Sequence, residues 1–254
     1  MSDQQKSREE RVRSKGLAFV AGATGFTGRE VVRVLVERGI PTAAHVRPDS
    51  PRFAEWTERF RKLGTEVDTT AWEDAAMAET MLRLKPGYVF ALLGTTRARM
   101  KDVSRVGGDP KTQSYEAVDY GLTALLIRAA KSSGSSPRFV YLSASGVKSK
   151  ARLPYYIARF KAEELLISSG LEYTIARPSI IAGPGRDDKR PLERTGAVVI
   201  DGLLSLAALL GGRKLKASYG STTNTILAEA LVRLALDPGA ARQIFESEYL
   251  RTAS

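Results

Sequence analysis

The seven residues Gly22-Ala23-Thr24-Gly25-Phe26-Thr27-Gly28 constrain this chain more than any other stretch. They follow the apolar run Leu17–Ala21 and precede Arg29–Arg38, where Val31, Val32, Val34, Leu35 and Val36 predict a helix packed on its apolar side. Gly39 caps that helix and Pro41 stops it. Three glycines placed between a strand and a helix have separate tasks. The first permits a tight turn, the second lets backbone approach a pyrophosphate, and the third lets the helix pack closely while its N-terminus faces the phosphates. The loop thus predicts a dinucleotide site built on Gly22, Gly25 and Gly28.

The same alternation continues. Strands are predicted at Thr42–Val46, Glu66–Thr69, Tyr88–Leu93, Phe139–Leu142 and Leu171–Ala176. Helices are predicted at Arg52–Leu63, Asp74–Leu84, Tyr115–Ser132 and Pro154–Ser169, with a long polar loop over Arg97–Gln113. Strands alternating with helices of this length imply parallel βαβ units. The fold expected is α/β, a Rossmann-type doubly wound parallel sheet with helices on both faces and a small irregular C-terminal region. A chain of 254 residues suits one such domain, taken as 17–254, with 183–225 on the substrate side. Residues 1–16 are polar and of mixed charge, and read as a disordered tail without a signal peptide.

Composition removes several chemistries. There is no cysteine, so disulfides, thiolate metal sites and a cysteine nucleophile are excluded. The one histidine, His45, reads as a packed strand residue, and no metal site is expected. The net charge of +11 reads as scattered solvated side chains, and Trp56, Trp72 and the arginines of 52–61 as a helix covering the sheet edge; no nucleic-acid partner is expected. The longest apolar stretch, Ala197–Leu210, is interrupted by Asp201 and too short to span a bilayer. It suits a substrate lid, a homodimer contact or core packing. The expected location is cytoplasmic.

Cofactor choice rests on the end of the second strand. An acidic residue about twenty positions after the glycines accepts from a ribose 2′-hydroxyl, whereas an arginine suits a 2′-phosphate. Arg47 stands at that place and Asp49 two residues beyond it. Arg47 points to NADP; Asp49 as the ribose ligand would mean NAD.

GATGFTG, ALLGTTR (Ala91–Arg97), YEAVDYG (Tyr115–Gly121), FVYLSASG (Phe139–Gly146) and IARPSIIAGPG (Ile175–Gly185) together resemble the atypical short-chain dehydrogenase/reductases, in the branch of the Tat-interacting oxidoreductase-like and NmrA-like proteins. The resemblance covers most of residues 17–185, and more loosely the helix Leu227–Leu236. It implies that Gly22, Thr24, Gly25, Phe26, Thr27 and Gly28 form the phosphate loop, that Arg47 meets the 2′-phosphate, that Asp68 contacts adenine, that Leu93, Gly94 and Thr95 pass beside the adenosine ribose, and that Lys161 binds the nicotinamide ribose. It implies further that Pro178 and Ser179 meet the nicotinamide amide, and that Ser143 and Ser145 end the strand bearing the catalytic hydroxyl, Ser145 in the better register.

The family's catalytic pair is Tyr-x-x-x-Lys on one helix face, where the lysine lowers the tyrosine pKa. Here Ile157 lies four before Lys161, and Tyr156 five before it. Five steps leave a pair about 140° apart rather than about 40°. A π-bulge would bring Tyr156 into line. Two functions fit: an NADP-dependent oxidoreductase of a small carbonyl or alcohol, with Ser145, Tyr156 and Lys161 catalytic, or a non-catalytic redox-sensing regulator acting through a protein partner.

Overall fold

The structure, a computed structural model, describes residues 16–95, 103, 109–183 and 222–252. β1 (Ala18–Ala21), α1 (Gly28–Glu37), β2 (Thr42–His45), α2 (Phe53–Lys62), β3 (Glu66–Asp68), α3 (Asp74–Leu84) and β4 (Tyr88–Ala91) form the first half. A π-helical stretch, Glu116–Leu122, leads into α4 (Thr123–Ser132), then β5 (Arg138–Leu142), α5 (Pro154–Ser168) and β6 (Tyr173–Arg177). The short strands β7 (Ile181–Ala182) and β8 (Thr222–Thr223) pair with each other. After them come α6 (Asn224–Leu236), β9 (Gln243–Glu246) and α7 (Ser247–Thr252).

The main sheet has the order β3-β2-β1-β4-β5-β6-β9, and every pairing in it is parallel. Successive strand residues point to opposite faces, so each strand feeds two cores. Ala18, Val20, Ala44, Phe90 and Val140 face α1, α2 and α6. Phe19, Ala21, Val89, Ala91, Phe139 and Tyr141 face α3, α4 and α5. This is the doubly wound Rossmann-type architecture expected. Strand order reverses between β1 and β4, which opens a crevice at their carboxyl ends.

Four elements differ from expectation. β4 is shorter than predicted because the chain leaves the ladder after Ala91, with only the Leu92 amide still donating to Ala21 O at 3.0 Å. β6 begins at Tyr173, since Gly170 at φ +83 closes α5 and Leu171 turns into the core instead of the ladder. The seventh strand, β9, has no counterpart in the sequence reading; it is a short edge strand with mostly exposed side chains, so its apolar pattern is faint. The C-terminal helix starts earlier than Leu227, at Asn224, because the Thr223 hydroxyl accepts the Ile226 amide at 3.1 Å and caps it. The tail expected over 1–16 lies outside the described residues apart from Gly16, as do most of the 97–113 loop, most of the 183–225 region and all of Ala197–Leu210.

Candidate functional site

At the crevice the glycine loop takes the form its spacing predicts. Gly22 adopts φ +82, and a Cβ there would sit 2.5 Å from Leu92 O, just past the end of β4. At Gly28 a Cβ would overlap the Gly22 carbonyl, so α1 packs directly on the turn. Gly25 closes the turn by donating its amide to Gly22 O at 2.9 Å, and the Gly22 oxygen is the one neighbour a Cβ there would meet. The amides of Thr27 and Gly28, at the N-terminus of α1, donate to no acceptor among the described residues. Such amides, backed by the helix dipole, suit a phosphate. A bare backbone at Gly25 beside them leaves room for a pyrophosphate. This part of the chain fits a dinucleotide.

At the far end of the crevice, Arg47 follows β2 with its side chain partly exposed; its nearest carboxylate is Asp49, at 3.4 Å. Asp49 is largely exposed. Asp68 is buried and committed internally: its carboxylate accepts the Thr70 hydroxyl at 2.9 Å and the Thr70 amide at 3.3 Å. Beside it, His45 Nε2 lies 2.9 Å from Thr70 O, and its ring meets Trp72 edge-on at 4.8 Å. Burial pushes the His45 imidazole below its ordinary value, against the opposing Thr70 carbonyl and Asp68. His45 is thus the packed strand residue expected.

The ends of β4 and β5 converge on one side chain. Arg159, on α5, donates to the carbonyls of Leu93, at 3.2 Å, and Leu142. It also donates to Asp119 Oδ1 at 2.8 Å. Asp119, fully buried in the π-helical stretch, accepts the Thr95 amide on its other oxygen at 3.0 Å. Gly94 lies against this pair, and a Cβ there would approach the Arg159 guanidinium to 3.0 Å. Burial pushes the Asp119 carboxyl upward, partly offset by Arg159 and the Thr95 amide. Burial also opposes the Arg159 charge, but Tyr155, Tyr141 and Asp119 outweigh it and hold the guanidinium above its ordinary value. The Thr95 hydroxyl is buried with no partner among the described residues, as a strand-end group facing a ligand would be.

The small residues Ala158 and Ala162 bring α5 close to the sheet, so the residues flanking them reach the strand ends. Tyr155 lies one turn before Arg159, with its ring centroid 5.1 Å from the guanidinium carbon. Tyr155 also meets Tyr115 edge-on at 5.4 Å. One turn after Arg159 is Glu163, also buried. It accepts the Ser143 hydroxyl at 2.5 Å and two Arg177 bonds, at 3.0 and 2.6 Å. Ser143 is therefore turned toward α5. Ser145 is half-buried, and its amide donates to Pro178 O at 2.8 Å. Pro178-Ser179 is pinned in turn by Ser247, which accepts the Ser179 amide at 3.2 Å and donates to its hydroxyl at 2.8 Å.

α5 is a regular α-helix with no bulge between Tyr156 and Lys161; the π-helical stretch lies instead at Glu116–Leu122. Tyr156 packs beside Gly146, in the loop after β5. Lys161 is exposed and donates to Glu116 Oε1 at 2.8 Å, its ammonium 5.5 Å from the Tyr120 ring. Two positions past Arg159, it lies about 200° around the helix, which explains why Arg159 and not Lys161 reaches β4 and β5. Sequence reasoning missed Tyr155, Arg159, Asp119 and Glu163. The Tyr155–Arg159 spacing of four was the available signal, hidden by the search for a lysine. Asp119 and Glu163 carried no local signal.

A family model described as NAD(P)H-binding matches residues 22–202. Among curated proteins, the mitochondrial protein fmp52-1 of Aspergillus terreus is 31% identical over 176 residues, 68% of this chain and 69% of that protein. The chloroplastic protein TIC 62 of Arabidopsis thaliana is 28% identical over 68% of this chain but only 28% of its own length. A ceramide reductase of Caulobacter vibrioides is 29% identical over 68% of this chain and 48% of that protein. The chain thus spans less than half the length of the last two. The mitochondrial and chloroplastic names lend no support to the cytoplasmic location expected. Among the described residues no helix is long and apolar enough to cross a membrane. Two solved structures share the fold: Bordetella bronchiseptica WbmH in complex with NAD+ (TM-score 0.59, 20% identity, 91% of this chain and 75% of that one) and the leucoanthocyanidin reductase–NADPH complex from Vitis vinifera (TM-score 0.58, 15% identity, 90% and 67%). The match over most of the sheet and its loops makes this chain a member of the NAD(P)H-binding family, among the atypical short-chain dehydrogenase/reductases related to NmrA.

Proposed function

We propose that the chain is an NADPH-dependent reductase of small carbonyl compounds, with Tyr155 as proton donor and Arg159 as the fixed charge beside it. The observation that carries this reading is the pair itself: a half-buried tyrosine whose ring centroid lies 5.1 Å from a guanidinium anchored on two strand-end carbonyls and Asp119. A fixed cation beside the ring would stabilise the negative charge that develops as the hydroxyl passes its proton to a carbonyl oxygen. An arginine stays charged at every working pH, so this influence does not titrate. Asp119 and the strand-end carbonyls hold the guanidinium still, which preserves its distance from the ring.

The Gly22–Gly28 loop would hold the pyrophosphate on the α1 amides, and Arg47 would meet the 2′-phosphate. Among the described residues Arg47 has only a long contact to Asp49, whereas Asp68 is committed to Thr70, and this favours NADP over NAD. Ser145 would offer a second hydrogen bond to the substrate oxygen, in the frame set by Pro178 and Ser179. The nicotinamide, when bound, supplies the hydride. In this reading Tyr156 and Lys161 carry no proton chemistry, because Tyr156 packs on Gly146 and Lys161 is engaged by Glu116. The relative named a ceramide reductase supports the direction of the reaction.

The test is NADPH oxidation followed by absorbance across a panel of aldehydes and ketones. Reduction of at least one, lost in Tyr155→Phe with NADPH affinity retained, supports the reading. NADPH binding without turnover on any carbonyl would overturn it and leave the redox-sensing regulator.

A further inference from the structure

A second contact reaches the glycine loop from the far end of the chain. Asn224, the first residue of α6, donates its side-chain amide to the carbonyl of Phe26 at 3.2 Å, across 198 positions of sequence. It is 2% exposed. Its neighbour Gly183, at φ +139, ends the β7 side of the β7–β8 pair and lies against both partners. A Cβ on Gly183 would overlap Asn224 Oδ1 and come within 3.3 Å of the Phe26 ring. Three features hold Asn224 in place: the Thr223 cap, the β7–β8 pairing, and the Arg38–Glu229 ion pair of 2.6 Å that joins α1 to α6.

We infer that Asn224 is a positioning residue for dinucleotide binding, acting through the Phe26–Thr27 peptide. Among the described residues no peptide bond is cis. In a trans peptide the carbonyl and the following N–H point in opposite directions. Holding the Phe26 oxygen toward Asn224 therefore turns the Thr27 N–H to the other side, and that N–H is one of the α1 amides without an acceptor among the described residues. Asn224 thus fixes the aim of an amide that the pyrophosphate requires, without touching the ligand. The remaining Asn224 oxygen is buried with no partner among the described residues. This inference rests on the phosphate-loop part of the proposed function and is independent of the catalytic pair.

The experiment measures binding alone, by fluorescence titration of the full chain with NADPH and with NADH, and by competition with adenosine 2′-monophosphate, which carries the 2′-phosphate but no pyrophosphate. Two variants are used: Asn224→Ala, and Asn224→Asp, which keeps the shape and removes the donor. Loss of one hydrogen bond that aims an anion-binding amide should weaken both dinucleotides by about tenfold. The NADPH-to-NADH ratio and adenosine 2′-monophosphate affinity should be unchanged. If either folded variant binds NADPH as the unaltered protein does, or loses adenosine 2′-monophosphate in parallel, the inference is overturned. Failure of the unaltered chain to bind any dinucleotide would refute the phosphate-loop assignment instead.

Discussion

Tyr155 and Arg159 stand one turn apart on α5, and the arginine reaches past its own helix to the carbonyls that end β4 and β5. This relationship separates two tyrosines that are adjacent in sequence. Tyr155→Phe is expected to lower kcat/KM for carbonyl reduction by about 10²-fold or more, the ordinary contribution of a positioned proton donor. Tyr156→Phe should retain most of the activity. Steady-state kinetics of both variants on one substrate decide the matter, and a larger loss from Tyr156→Phe would reverse the assignment.

The Arg159–Asp119 pair is buried, so breaking it on one side should be severe. Asp119→Ala leaves an uncompensated guanidinium and is expected to cost about 3–5 kcal/mol of stability. Arg159→Lys keeps the charge but cannot make the same set of bonds, and should cost less while reducing turnover. Chemical denaturation of the two variants checks the order. Equal stability of Asp119→Ala and the unaltered protein would show that the pair does not hold the strand ends.

Cofactor preference should follow Arg47. Arg47→Glu removes a charge-assisted contact to a 2′-phosphate, on the order of 1.5–3 kcal/mol, and adds repulsion. The expected outcome is loss of most of the NADPH preference with NADH binding retained. Titrations with both dinucleotides measure it; equal affinities in the unaltered protein would contradict the NADP assignment.

Two glycines of one loop should fail differently. Gly28→Ala places a Cβ into the Gly22 carbonyl and should destabilise the fold itself. Gly25→Val presses on the Gly22 oxygen, which must yield slightly, but its main effect is to fill the approach to the backbone. It should abolish dinucleotide binding with the circular dichroism spectrum preserved. A folded Gly25→Val protein that binds NADPH normally would displace the site from this loop.

His45, the one histidine in the chain, gives an unambiguous titration. Its folded value is lowered by burial, so the unfolded chain takes up the proton first as pH falls. Its contribution to stability is present above the ordinary value of about 6.5 and is lost as pH drops through the lower, folded value. Proton NMR should show a titration below the ordinary value, and the melting temperature should decline over that window. His45→Gln should flatten the decline.

The alternation of strands and helices, the order of the glycine turn and the place of Arg47 were all legible in the sequence. Each depends on spacings of a few residues that local sterics enforce: period two in strands, period 3.6 in helices, and a glycine where φ must be positive or the backbone must approach closely. The Tyr155–Arg159 spacing was legible too, though only the fold distinguishes an inward Arg159 from an outward Lys161. Tertiary packing decided the rest. Asp119 meets Arg159 across 40 positions, and Glu163 collects Ser143, just after β5, and Arg177, at the end of β6. β9 completes the sheet through backbone pairing that its side chains barely announce. Asn224 reaches Phe26 because α6 packs on α1. Contacts of that kind arise when separate elements are brought together on one sheet, and no periodicity along the chain encodes which buried polar groups will then find one another.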